Sequence, residues 1–297
     1  MSTVLAIDIG GTKVAAGWVS SDGRLRHPVH LPTEADSAEA LFETVVRLGL
    51  QVLELAGAAP SAIGVGCGGP ARQHHRLVSP LNIAVWRDFP LGERLAERFV
   101  VPTFVDNDAK ALALGEGWLG AARGVANYIG MVVSTGVGGG IVLEGRLLDG
   151  ADGNAGHIGH VFVEPGGHTD AAGAVGNLEG QASGSALARI TGRPAAEAPP
   201  DLRRRTGELV GRAVASVANL LDLQLAVVAG SVALGYGEEF FSAAQATIDE
   251  LCRLDHSRGT RIVPGALGAD GPLLGAGAVG LRGLGVDVLA DGARQVQ

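Results

Sequence analysis

An acid, two glycines, a hydroxyl and a cation stand together at Asp8-Ile9-Gly10-Gly11-Thr12-Lys13, between two runs rich in β-branched residues. A tight glycine turn between strands lets backbone N–H groups approach phosphate oxygens with no Cβ in the way. Thr12 and Lys13 add a hydroxyl and a positive charge to the same turn, and Asp8 just ahead of it is suited to hold Mg2+ through water, since that hard cation prefers oxygen ligands and keeps several waters. A plain β-hairpin with an exposed tip accounts for the same pattern. A second glycine turn, Ser134-Thr135-Gly136-Val137-Gly138-Gly139-Gly140, follows another buried-strand pattern. Two phosphate-gripping hairpins, one in each half, are what a nucleotide held in an interdomain cleft requires; a tight structural turn is the alternative.

Asn107-Asp108 follows a β-branched strand and precedes a helical stretch, so Asp108 falls at a strand's C-terminal end, where α/β proteins bind ligands. A carboxylate there can accept a proton from a hydroxyl nucleophile; the competing reading is helix capping, which favours Asn and Asp. His157 and His160 lie three residues apart in Gly156-His157-Ile158-Gly159-His160, with Glu164, His168 and Asp170 as further possible ligands but no spacing that fixes their geometry. Glu179, in Asn177-Leu178-Glu179-Gly180, reads equally as an exposed charge at a helix start. Gly64-x-Gly66-x-x-Gly69 and Gly275-x-Gly277-x-x-Gly280 both fit the dinucleotide pattern. The first runs into Pro70 and the second lies within a small-residue helix, so neither has the strand–turn–helix context the pattern needs.

The elements that carry these residues alternate. Val4 to Val19 reads as strand, turn, strand; Ser37 to Ala56 as an amphipathic helix with Leu41, Val45, Leu48, Val52 and Leu55 on one face. Ala62–Cys67 and Thr103–Val105 read as strands, Leu91–Phe99 and Asp108–Glu116 as helices, and Ala126–Gly145 as a second strand–glycine–strand unit. A loop with three prolines spans Thr191 to Asp201, a helix starts near Thr206, a strand covers Leu225–Ala229, a helix Glu238–Leu251, and a strand forms around Arg261–Val263; residues 290–297 read as a frayed tail. The class is α/β, in two related halves with a boundary near Gly117 to Gly124.

Composition narrows the function. The chain has 297 residues, 23 Lys+Arg against 31 Asp+Glu, and a formal charge of −8. That balance opposes nucleic-acid and anionic-membrane surfaces, which need basic patches, and the absence of a long apolar run predicts no membrane span. With no secretory n-region and only Cys67 and Cys252, a disulfide framework is not expected and a reduced, cytoplasmic protein is. Glycine, at 47 residues, is about twice its usual share of about 7%.

Taken together these motifs resemble the ROK family of sugar kinases and related repressors. The most specific stretch is Val133-x-x-Gly136-Val137-Gly138-x-Gly140-Ile141, continued by Gly150, Gly156 and x-x-Gly159-His160; Gly69-Pro70, Pro80-Leu81-Asn82 with Trp86, Asn107-Asp108-Ala109 and Leu178-Glu179-Gly180 agree in order. The resemblance covers nearly the whole chain. It implies an actin/hexokinase (ribonuclease H-like) fold of two domains around a cleft, residues 1–117 and 118–297, with the last helix free to pack back on the first domain. It further implies ATP-dependent phosphorylation of a hexose with Mg2+, glucose at the 6-hydroxyl being the default, in a homodimer. Position by position, Asp108 matches the catalytic base; Asn82, Asn107, His160 and Glu179, with Gly69 beside them, match sugar contacts. Gly10, Gly11, Thr12 and Lys13, and Thr135, Gly136 and Gly138, match the phosphate turns, and Ala229-Gly230-Ser231 the adenosine loop, usually three glycines.

Three departures accompany the match. His157 stands where the family commonly has Glu, exchanging an acceptor-only carboxylate for an imidazole that also donates. The family's structural zinc takes one His and three cysteines of C-x-C-G-x-x-G-C; here Gly173 and Gly176 remain, but Asp170, Ala172 and Asn177 fill the cysteine positions. A structural zinc needs about four good ligands, so none is expected. The adenosine loop is the third. A non-catalytic sugar-binding or regulatory protein is the alternative function; DNA binding is not expected, because the family's repressors carry a DNA-binding extension ahead of the motif that begins here at Asp8.

Overall fold

A computed structural model of the chain describes residues 2–290, so the tail expected over 290–297 lies outside the described residues from 291 onward. β1 (Thr3–Ile9), β2 (Lys13–Ser20) and β3 (Leu25–Pro32) form an antiparallel meander. Helix α1 (Ala38–Ala56) then leads to β4 (Ala62–Cys67), which runs parallel to β1. A small hairpin of β5 (Ala71–Arg72) and β6 (Leu77–Val78), helix α2 (Leu91–Phe99) and strand β7 (Thr103–Asn107) follow, giving the sheet order β3-β2-β1-β4-β7. Helix α3 (Asp108–Leu119) leaves this sheet and enters the second.

There β8 (Tyr128–Val133), β9 (Val137–Leu143) and β10 (Arg146–Leu147) are again antiparallel. After α4 (Leu178–Ala182), α5 (Gly184–Thr191) and α6 (Pro200–Leu221) comes β11 (Leu225–Ala229), then α7 (Ser231–Tyr236), α8 (Glu238–Leu251), β12 (Arg261–Pro264) and α9 (Gly271–Gly283). The order β10-β9-β8-β11-β12 repeats that of the first sheet. In each sheet the glycine turn joins the central strand to its antiparallel neighbour.

β1, β2 and β4 are apolar and buried almost throughout, as strands covered on both faces must be. The edge strand β3 is not in the sequence reading. Its LRHPVHLP run contains two prolines and two histidines and alternates half-buried with exposed residues, the muted signal of a strand with one partner. α1 begins where expected, with the Ser37 hydroxyl accepting from Ala40 N at 3.2 Å and Gly57 left-handed at its end. Leu41, Val45, Leu48 and Val52 are buried, but Leu55, expected on the same face, is 52% exposed in the last turn. α6 starts at Pro200, not near Thr206, so the expected loop over Thr191–Asp201 is shorter than read. The cause is a proline in the helix's first turn, where its missing N–H costs nothing.

The glycines of the two dinucleotide-like matches pack on one another. A β-carbon on Gly64 would lie 2.0 Å from the Ala276 carbonyl oxygen, and one on Gly280 3.1 Å from the Gly64 α-carbon. They let α9 lie against β1, β4 and α3 at backbone distance, which is a packing role.

Candidate active site

In the first sheet Ile9, Cys67 and Asn107 are in register across the parallel strands β1, β4 and β7. The chain therefore leaves all three at one level: into the Gly10–Lys13 turn, into Gly68-Gly69-Pro70, and into α3. The first turn is closed by Gly10 N donating to the Lys13 carbonyl at 3.0 Å and braced by the Thr33 hydroxyl donating to the Gly10 carbonyl at 2.8 Å. Gly11, Thr12 and Lys13 are exposed at its tip.

Asp8 faces Asp108 across Gly66. A β-carbon there would be 3.6 Å from Asp8 Oδ1 and 3.6 Å from the Asp108 α-carbon. Burial pushes the Asp8 carboxyl up to about 7, the charge of Asp108 adds to the rise, and Lys13 opposes it. Asp108 is also held above the usual carboxylate range by burial, against the lowering effect of the Ala109 N–H and its own N–H.

Of the Asn107-Asp108 pair, capping falls to Asn107. Asn107 is the N-cap of α3, its side-chain oxygen accepting from Ala109 N at 3.0 Å and Lys110 N at 3.4 Å. Asp108 Oδ1 accepts from Ala109 N at 2.8 Å. Its Oδ2 takes no hydrogen bond from the described residues and faces Gly68, 3.9 Å from where a β-carbon would stand. This is a carboxylate with one oxygen anchored and the other open.

The second glycine turn reaches the same place from the other sheet. A β-carbon on Gly138 would lie 2.9 Å from that of Ala109, so β9 abuts the first turn of α3 beside Asp108. Ser134 and Thr135 carbonyls accept from Gly184 N at 2.7 Å and Ser185 N at 3.2 Å, which fixes the turn to the α4–α5 junction, with Thr135 itself exposed at the tip. Gly230, at φ 101°, ends β11 alongside, where the Ser231 and Ser134 hydroxyls are 3.0 Å apart.

The residues expected to meet a sugar gather between the turns. A β-carbon on Gly69 would stand 3.1 Å from Asn107 Nδ2 and 3.3 Å from His157 Nε2. One on Gly11 would strike Asn82 at 2.7 Å, and one on Gly136 would lie 3.1 Å from Glu179 Oε2 and 3.8 Å from Asn82 Nδ2. Glu179 accepts from Val137 N at 2.9 Å, so the α4 carboxylate is tied to the glycine turn. His157 Nε2 is buried and has no hydrogen-bond partner among the described residues. Burial first, then the charges of His160, His75 and Lys110, lower the His157 pKa and keep its ring neutral. The His160 ring is 6.2 Å from that of His157, edge to face, with Nε2 3.3 Å from Asp170 Oδ2.

Asp8 and Asp108 offer oxygen atoms of the kind a hard cation such as Mg2+ prefers, and the Asp170–Asn177 segment has none of the thiolates that a structural zinc takes. Two facing carboxylates, one of them raised to about 7, form a site whose repulsion a cation would relieve. In the Asp170–Asn177 segment the cysteine positions offer one carboxylate, a methyl and an amide. Among the described residues no group of three or more His, Cys, Asp or Glu is placed to hold a metal ion.

A stability test follows from Asp8. Its folded pKa lies above the ordinary 3.8, so the ionised form is disfavoured by folding, and the native state binds more protons across that window. In chelator, the stability of wild type relative to Asp8→Asn should therefore fall as pH rises from 3.8 to about 7, read as a widening gap in melting temperature. A constant gap would mean that Asp8 is solvated.

The sequence reading missed a charge network centred on the buried Lys110, two residues beyond Asp108 on α3. Lys110, 1% exposed, places Nζ 3.1 Å from Asp106 Oδ1, 3.0 Å from Asp149 Oδ1 and 3.0 Å from the Gly153 carbonyl. His75 Nε2 lies 3.0 Å from that carbonyl, and Arg282 reaches Asp149 Oδ2 at 3.3 Å. The available signals were the Asp106–Lys110 i,i+4 spacing and a lysine inside an otherwise small and apolar helix start. A cavity of about 560 Å³ opens on this side, between β7, α2 and α9, and shares none of the expected site residues.

A model of the ROK family matches residues 4–281. Glucokinase of Thermotoga maritima is 36% identical over 190 residues, 63% of this chain, and the chain spans 59% of that protein's length. N-acetylmannosamine kinase of Escherichia fergusonii is 35% identical over 252 residues, covering 79% of this chain and 85% of that one. Among solved structures, a ROK hexokinase from Thermus thermophilus aligns with a TM-score of 0.80 at 33% identity over 95% of this chain and 99% of its own. A ROK family glucokinase from Streptomyces griseus, solved in complex with glucose and AMPPNP, aligns with a TM-score of 0.82 at 28% identity over 95% and 100%. The paired sheets are thus those of the actin/hexokinase-type fold.

Proposed function

The chain belongs to the ROK family, and from that premise we propose that it is a kinase transferring the γ-phosphoryl group of ATP to a hexose hydroxyl, with the 6-hydroxyl of glucose as the favoured acceptor. The observation that carries the reading is the position of Asp108, between the two glycine turns and with one oxygen open.

In this reading Asp108 takes the proton of the sugar hydroxyl as its oxygen attacks phosphorus in line, and ADP leaves. N–H groups of the Gly10–Lys13 and Thr135–Gly138 turns, with Lys13, spread the charge of the transferring group. Gly230 and Ser231 border the nucleotide's other end. Asp8 would hold Mg2+, which when bound would supply charge neutralisation at the phosphates. Asn82, Asn107, His157, His160 and Glu179 hold the sugar, and residues 1–117 and 118–297 act as two bodies whose closure excludes water.

An ADP-release assay over hexoses and N-acetylhexosamines, with ATP and with polyphosphate as donor, tests the reading. Glucose or N-acetylmannosamine with ATP is expected to give the strongest signal, in keeping with the relatives. The exchange of Glu for His157 favours the second reading, a non-catalytic sugar-binding or regulatory protein, and no sugar-dependent signal from any pair would select it. Because the unpartnered His157 Nε2 is free for a ligand hydroxyl, His157→Ala should raise the sugar KM by about tenfold, the loss of one hydrogen bond, with the ATP KM unchanged. A homodimer is part of the proposal and is checked by sedimentation.

A further inference from the structure

We infer that Asp170 is a positioning residue for the sugar subsite: its buried carboxylate closes the segment from His160 to Gly180 without a metal, and so sets both the His160 ring and the helix that carries Glu179. The inference rests on the kinase reading for its effect on turnover, and on geometry alone for the closure.

The Asp170 side chain is fully buried. Oδ1 accepts from Ala174 N at 2.7 Å, and Oδ2 accepts from the Asn177 amide. Asn177 in turn caps α4, its side-chain oxygen accepting from Gly180 N at 2.9 Å. Gln181 closes the next layer, donating to the His168 carbonyl at 2.8 Å and accepting from His168 N at 3.0 Å. One carboxylate therefore fixes the start of the helix from which Glu179 reaches Val137 N.

The same carboxylate faces His160. Asp170 Oδ2 stands 3.3 Å from His160 Nε2, which favours a proton on that nitrogen. In a neutral imidazole Nδ1 is then the acceptor, which has no hydrogen-bond partner among the described residues and suits a sugar hydroxyl. The donors that hold Asp170 are N–H groups, which cannot ligate a metal, and the Asn177 amide faces it as a donor too. The segment that elsewhere in the family is gathered by zinc is here gathered by hydrogen bonds to a single acid.

The test uses Asp170→Asn and Asn177→Ser, the latter keeping a capping oxygen but losing the amide donor. Each should raise the sugar KM by about tenfold or more, with kcat and the ATP KM changed by less than about threefold. His160→Gln should do the same and add little when combined with Asp170→Asn. Two readouts are independent of turnover. Nitrogen NMR of histidine-labelled protein should show His160 protonated on Nε2 in wild type and redistributed in Asp170→Asn, and elemental analysis should find zinc below about 0.1 per chain.

Stoichiometric zinc, an unchanged His160 tautomer, or sugar and ATP parameters falling together with the melting temperature would each overturn the inference. If wild type shows no sugar-dependent turnover, the kinase reading fails on its own, and the NMR and zinc measurements still decide whether Asp170 closes the segment.

Discussion

Asp108→Asn is expected to lower turnover on the order of 10²–10⁴-fold while sugar affinity is largely retained. The substitution is nearly isosteric, and an amide oxygen can still accept from Ala109 N, the bond that Oδ1 makes at 2.8 Å. The cap of α3 belongs to Asn107, so the helix start stays in place. What is lost is the ability of the open oxygen to take a proton. Because burial holds the Asp108 pKa up, turnover of wild type should climb with pH as this group ionises, and the variant should lack that limb. Steady-state kinetics paired with calorimetric sugar binding separates the two effects; near-normal turnover would remove Asp108 from the role.

Lys110→Met should cost up to about 3–5 kcal/mol of stability, the effect of removing one partner from a buried ion pair, with His75 at 3.2 Å and Arg282 at 3.8 Å left beside Asp106 to offset part of it. Lys110 is 1% exposed, and Asp106, its neighbour at 3.1 Å, is 7% exposed. Removing the ammonium also takes one of two polar neighbours from the Gly153 carbonyl, which Lys110 Nζ and His75 Nε2 each approach at 3.0 Å. The network joins β7 and α3 of the first half to the loop after β10 and to α9, so its loss should shift the urea midpoint with little change in slope. Lys13→Met is the control: this exposed turn lysine should leave stability within about 0.5 kcal/mol. A Lys110→Met variant as stable as the control would show that the cluster is hydrated.

The parts of the molecule legible in advance are those written in local spacing. The β1–turn–β2 and β8–turn–β9 units, the Ser37 cap of α1 and the start of α3 at Asp108 follow from β-branched runs, glycine positions and a period of about 3.6 residues, because each depends on neighbours within a few positions. Edge strand β3 and the proline start of α6 were lost for the same reason: prolines and polar alternation weaken the local pattern even where the fold tolerates them. Family motifs singled out Asp108, Glu179 and the histidines as a set.

Only the packing of the two sheets about α3 and α9 decided how the set meets. Gly138 against Ala109, Lys110 against Asp149 and Gly153, and His160 against Asp170 are contacts between elements from different stretches of chain, and no periodicity encodes them. Local propensity specifies elements, whereas burial brings distant charges into a low-dielectric interior where each must find a partner. That demand gives Asp170 and Lys110, whose more distant partners no local spacing announces, their places as fastenings between segments.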